Sequence, residues 1–122
     1  MKNIFISGGN RGIGKGLVEI FSRDNKVFFS ARDEQKAGSV MDSIDNENLD
    51  YVIMDVAYEK SVLKGIESLK EKTNSIDILI NNAGILIPGL KHKIDAVETD
   101  DESILKTFNI NTVGVLRVCK AV

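Results

Sequence analysis

Short apolar runs alternate along the chain with longer stretches of helical period. Ile4-Phe5-Ile6, Val27-Phe28-Phe29, Tyr51-Val52-Ile53-Met54 and the segment from Ile76 to Ile80 read as strands. Between them, Ile13, Leu17, Ile20 and Phe21 predict one helix face, Ala37, Val40, Met41 and Ile44 a second, and Val62, Ile66 and Leu69 a third. Asp33 stands where the second helix needs an N-cap. The third helix is expected to end near Thr73-Asn74. Thr99-x-x-Glu102 reads as a capping box for a last helix, whose apolar face would be Ile104, Leu105, Phe108, Val113, Leu116 and Cys119. The order β-α-β-α-β-α-β predicts an α/β fold, a parallel sheet covered by helices on both faces. After Gly84 comes a loop of about fifteen residues, a length that usually signals function. It holds Pro88 and His92, each the sole residue of its type.

The composition changes this picture little. The chain has 122 residues, 43% apolar and 28% charged, with a formal net charge of −2, which suits one soluble folding unit. Sixteen basic residues against eighteen acidic ones leave no overall field to draw in nucleic acid. No apolar run approaches the roughly 20 residues that span a bilayer, and Met1 to Ser7 is too short for a signal-peptide core. A cytoplasmic protein with neither nucleic acid nor membrane as partner is expected. The single Cys119 excludes an internal disulfide, and no Cys/His cluster offers a metal site. The chain ends on an apolar helix without a cap, and the fourth strand has no visible neighbour beyond it. That pattern reads as the first part of a larger sheet, with a bare last helix open to homo-oligomerisation.

Five clusters carry chemistry. Ser7-Gly8-Gly9-Asn10-Arg11-Gly12-Ile13-Gly14 follows a strand and opens a helix, where backbone N–H groups and the helix dipole meet an anion. Glycines there permit a tight turn, close approach of a phosphate, and close packing of helix on sheet. The near match to an ATP-binding P-loop at Gly9 to Lys15 fails at Gly16, where a hydroxyl would hold magnesium. At the end of strand two, Ser30-Ala31 lacks the carboxylate that selects the ribose of NAD. Arg32 follows, and Arg11 lies within reach, so NADP is favoured over NAD; Asp33 argues the other way but fits better as a helix cap. Asp55, with Val56 after it, closes strand three as either an acceptor for an adenine amino group or an N-cap of the third helix. Asn81-Asn82-Ala83-Gly84 ends strand four, bringing amide groups beside a ligand. Asn109, Asn111 and Gly114 inside one apolar helix predict a kink that turns Asn111 inward. The bland readings are a solvated loop histidine for His92, a packing role for Cys119, and a solvent-facing run from Glu67 to Lys72.

In their order and spacing, Gly8-x-x-x-Gly12-x-Gly14, Asp55, Asn81-Asn82-Ala83-Gly84 and Asn111 resemble the short-chain dehydrogenases/reductases. Arg11 with Ser30-Ala31-Arg32 resembles the NADP-preferring, carbonyl-reductase-like branch. The resemblance implies a Rossmann-type doubly wound sheet with strand order 3-2-1-4, residues 1–122 being the N-terminal, cofactor-binding part of a single domain. It implies that Gly8, Asn10, Arg11, Gly12, Ile13 and Gly14 line the pyrophosphate and adenosine side, that Arg32 meets the 2′-phosphate, and that Asp55 and Val56 flank adenine. Asn82, Ala83 and Gly84 would lie along the nicotinamide-proximal ribose. Asn111 resembles the catalytic asparagine that holds a proton-relay water. The implied reaction is hydride transfer between NADPH and a carbonyl or alcohol substrate. The family's Tyr-x-x-x-Lys pair is not found: Tyr51 lies inside a strand, and Tyr58, entering a helix, is followed at the fourth position by Val62. The alternatives are a non-catalytic dinucleotide-binding module for sensing or assembly, or an inactive product of a truncated gene.

Overall fold

The computed structural model describes residues 1–86 and 96–122. Four strands, β1 (Asn3–Ser7), β2 (Lys26–Ala31), β3 (Leu49–Ile53) and β4 (Ile78–Asn81), alternate with helices α1 (Gly12–Phe21), α2 (Glu34–Ser43) and α3 (Glu59–Lys72). A 3-10 turn (Ala96–Glu98) precedes α4 (Asp101–Phe108), a π-helical turn (Asn109–Val113) and α5 (Gly114–Ala121). Among the described residues the strands form one parallel sheet in the order β3-β2-β1-β4. This is the doubly wound arrangement expected from the alternation of elements. His92 and Pro88 lie outside the described residues.

The central strands are apolar without alternation because both faces of a parallel sheet are covered. Ile4, Ile6, Val27 and Phe29 pack with Val18 of α1 and Ala37 and Val40 of α2 on one face. Phe5, Phe28 and Val52 pack with Val62, Ile66 and Leu69 of α3 and Val118 of α5 on the other. Register pairs Phe5 with Phe28 on one side and with Leu79 on the other. The open edge of β3 is tied down by polar groups: Lys72 Nζ bonds Asp50 Oδ1 at 2.8 Å, and the Tyr51 hydroxyl donates to Glu34 Oε2 at 2.7 Å.

Three sequence expectations need correction. The face of α1 is centred on Gly14 and Val18, with Leu17 and Phe21 flanking, while Ile13 and Ile20 are 79% and 58% exposed. A small residue had to face the sheet where α1 starts, so the large apolar residues beside it were rotated outward. The cap of α4 is Asp100, whose carboxylate accepts from Ser103 N at 3.0 Å, rather than Thr99. The last helices bury Ile110, Gly114 and Val118, leaving Ile104, Leu105, Phe108, Leu116 and Cys119 exposed. α4 buries no residue, and the inward face begins only in the π turn at Ile110 and continues at i, i+4 through Gly114 and Val118.

Candidate coenzyme cleft

The turn after β1 is set by hydrogen bonds that Gly8 and its neighbours make with β2 and β4. Gly8 has φ +69°, a left-handed conformation that favours glycine. Its N–H donates to Ser30 Oγ at 3.0 Å, and Gly9 N–H donates to Ser30 O at 3.0 Å. From the other side, Asn82 Nδ2 donates to Gly8 O at 2.9 Å and to Ser7 O at 3.2 Å. Ser7 Oγ accepts from the N–H groups of Asn82 and Ala83, each at 3.1 Å. Ser7 and Ser30 are buried, so these hydroxyls serve as fixed connectors between strand ends. In the sequence Ser30 stands out only as an uncharged pocket residue, and Ser7 only as the residue before the glycine turn. Serine at or next to the last position of an inner strand is the available signal.

Gly14 is sterically required. A Cβ there would overlap Gly8 O and Asn82 Nδ2, so α1 sits against the turn only because the side chain is missing. Arg11, the N-cap of α1, is extended and makes no side-chain cap bond. The first-turn N–H groups of Gly12, Ile13 and Gly14 therefore have no capping side chain and point beyond the helix, the arrangement that binds anions.

These elements border a cleft of about 350 Å³ at the C-terminal ends of the strands. Its walls include Gly8, Asn10, Arg11, Gly12, Ile13, Gly14, Arg32, Asp55, Val56, Asn82, Ala83 and Gly84. Every coenzyme-site residue named from the sequence is thus brought to one cavity. Lys36, Met54, Ile85 and Ile110 also line it and were not anticipated. Lys36 and Ile110 belong to helices whose orientation the sequence pattern leaves open.

Arg11, Arg32 and Lys36 bring basic side chains to the cleft wall. Asp33 is taken up locally: Oδ1 accepts from Lys36 N–H at 2.8 Å, and Oδ2 lies 3.5 Å from Lys36 Nζ. The backbone bond from Lys36 is the main reason that its pKa lies below the usual carboxylate value. Asp55 does not cap α3, whose N-cap is Tyr58. Its Oδ1 accepts from Ala57 N at 2.9 Å in a tight turn, and its own N–H donates to Ser61 Oγ at 2.8 Å.

Asn111 lies on the π turn and is not among the residues that wall the cleft. Its Oδ1 accepts from Ile85 N at 2.8 Å and its Nδ2 donates to Ile85 O at 2.8 Å, next to cleft residue Gly84. The predicted kink is this π turn, but it leaves Asn111 exposed rather than turned inward, because both of its amide atoms bond the Ile85 backbone. Neither tyrosine lines the cleft. Tyr51 is bound to Glu34, which raises its pKa, and Tyr58 is exposed at the start of α3. Cys119 is exposed and accepts a 3.4 Å bond from Asn81 Nδ2, rather than packing in the core. Among the described residues no group of three metal-ligating side chains converges, and no helix is long and apolar enough to cross a membrane.

The family profile described as short chain dehydrogenase matches residues 2–122. The chain belongs to the short-chain dehydrogenases. It is 31% identical to human short-chain dehydrogenase/reductase 3 over 98% of its own length and 39% of that protein's. Among solved structures it is similar to gox2181, with a TM-score of 0.88 and 29% identity, covering 99% of this chain and 47% of that one. It is also similar to an actinorhodin polyketide ketoreductase variant with NADPH, with a TM-score of 0.84 and 25% identity, covering 98% of this chain and 45% of that one. The chain thus spans less than half the length of each of these proteins. As a short-chain dehydrogenase it is placed in an oxidoreductase family that binds nicotinamide dinucleotides and a substrate.

Proposed function

We propose that residues 1–122 are the coenzyme-binding part of a single Rossmann-type domain in an NADP(H)-dependent oxidoreductase. Its reaction is hydride transfer between NADPH and a carbonyl or alcohol substrate. The observation that carries this reading is a single cleft faced by the first-turn N–H groups of α1, the Asp55 carboxylate and three cations.

The residues fit the coenzyme. The uncapped first turn of α1, with open space beside Gly12, suits a pyrophosphate, to be held by Gly8, Asn10, Gly12, Ile13 and Gly14. Arg32 and Arg11 are assigned to the 2′-phosphate, Asp55 and Val56 to adenine, and Asn82, Ala83 and Gly84 to the nicotinamide-side ribose. NADP is preferred to NAD because Asp33, the nearest carboxylate, is held by the start of α2, and Arg32 faces the cleft. The NADPH in the ketoreductase structure supports the same choice. When bound, the coenzyme supplies the hydride. Asn111, fixed on Ile85, is assigned to the proton relay as the catalytic residue of this stretch. A cytoplasmic setting and self-association through the exposed face of α4 and α5 complete the reading.

A second reading, a dinucleotide-binding module without catalysis, is favoured by one observation: neither Tyr51 nor Tyr58 lines the cleft. Calorimetric titration with NADPH and NADH tests what both share. NADPH is expected to bind at least about tenfold tighter than NADH; no heat with either would overturn both readings. NADPH consumption with a panel of ketones and aldehydes then separates them.

A further inference from the structure

The turn that carries Asp55 is braced from behind by the last helices. Arg117 on α5 donates through Nη1 to Val56 O at 2.9 Å and to Asn109 O at 3.2 Å. Its Nη2 donates to Asn109 Oδ1 at 2.6 Å. Asn109 Nδ2 in turn donates to Ala57 O at 3.1 Å. Two successive carbonyls after Asp55 are therefore held by one guanidinium–amide pair. Gly114 permits this approach, since a Cβ on it would meet Val56 Cγ2 at 2.9 Å.

The same pair also holds the π turn. Gly114 N–H bonds Asn109 O, five residues back, and Arg117 adds a second donor to that carbonyl. A planar fork suits two acceptors at once, which an ammonium on a flexible stem does not. Asp55 Oδ1 is already engaged by Ala57 N. The direction of Oδ2 therefore depends on where Val56 and Ala57 are held, and Arg117 and Asn109 hold both.

We infer that Arg117 and Asn109 are positioning residues for base recognition: they fix the Asp55–Ala57 turn so that the carboxylate meets the amino group of adenine. This deepens the coenzyme-binding reading and rests on it.

The test compares Kd for NADPH and for reduced nicotinamide hypoxanthine dinucleotide phosphate, which carries a carbonyl where adenine has the amino group. The intact chain is used, as wild type, Arg117→Met, Asn109→Ala and Arg117→Lys. Wild type is expected to prefer NADPH by about tenfold, the scale of one charge-assisted hydrogen bond. Arg117→Met, which retains an apolar stem, and Asn109→Ala are expected to reduce that ratio to below about threefold. Arg117→Lys is expected to restore part of it. A general loss of stability weakens both ligands alike and leaves the ratio unchanged.

Equal ratios in wild type and both variants overturn the positioning role while leaving coenzyme binding intact. So does a wild type that binds both ligands equally. Unfolding of both Arg117→Met and Asn109→Ala also overturns it, in favour of a purely structural role. A wild type that binds neither ligand overturns the coenzyme reading and this inference with it.

Discussion

Asn111 and Ile85 are joined by two reciprocal hydrogen bonds, each 2.8 Å, so a side-chain amide reads a main-chain segment as a neighbouring strand would. The pairing joins the π turn to the exit of β4 and directs the chain past Gly84 along the cleft. Asn111→Ala is expected to cost about 1–3 kcal/mol, the scale of two net hydrogen bonds. Asn111→Asp is expected to cost at least as much, because a carboxylate oxygen then faces Ile85 O. Thermal unfolding and amide exchange at Ile85 measure both. A fully stable Asn111→Asp variant with Ile85 still protected would contradict the assignment.

Gly14 and Gly16 lie on the same helix but in opposite surroundings. A Cβ at Gly14 overlaps Gly8 O and Asn82 Nδ2, whereas nothing lies within 4 Å of one at Gly16. Gly14→Ala is expected to destabilise the fold by about 1–3 kcal/mol through overpacking, and to weaken dinucleotide binding by more than about tenfold. Gly16→Ala is expected to stabilise α1 by about 0.5–1 kcal/mol. Denaturant unfolding of the two variants side by side decides whether the requirement is local.

Arg32 faces the cleft beside Lys36, while Asp33 is held at the start of α2. Replacing Arg32 with alanine is expected to weaken NADPH by roughly ten- to a hundredfold, the scale of one charge-assisted bond. NADH binding should change little. Equal losses for the two coenzymes would move the 2′-phosphate elsewhere.

The two carboxylate caps make the fold acid-sensitive. The Lys36 backbone N–H lowers the pKa of Asp33, and the Ser103 hydroxyl and N–H lower that of Asp100. Each group binds its proton less readily in the folded chain than in the unfolded one. Each therefore adds stability above the ordinary carboxylate value of about 4, which is lost as pH falls through the folded value. Asparagine also caps helices but does not titrate there. Wild type should accordingly lose stability relative to an Asp33→Asn, Asp100→Asn double variant as pH drops below about 4. A stability difference that stays constant from neutral pH through the acid limb would show that the caps are not titrating in this way.

Leu105 and Phe108 on α4 and Leu116 on α5 are 67%, 59% and 54% exposed. Apolar surface of this kind favours association. Sedimentation of residues 1–122 is expected to show dimers or larger species that Leu105→Glu with Phe108→Glu returns to monomer. A monodisperse wild-type monomer would count against the contact.

The chain's own pattern was enough to establish the alternating elements, the parallel sheet and the residues at its C-terminal edge. Those features are local: apolar runs set strands, turn chemistry sets their ends, and the βαβ connection leaves few ways to arrange them. Asp33 as a cap, the glycine turn and the irregularity near Asn111 were all legible for that reason. What depended on three-dimensional packing was which side of each helix turned inward. Val18 displaced Ile13 and Ile20 in α1 because Gly14 had to touch the Gly8 turn. In the last helices Ile110, Gly114 and Val118 turned inward while Phe108 and Leu116 stayed exposed. Ser7, Ser30, Asn109 and Arg117 acquired their partners only through folding, because the groups they bind lie on other elements or across the π turn. Hydrogen bonds of that range leave no periodic trace in the order of residues.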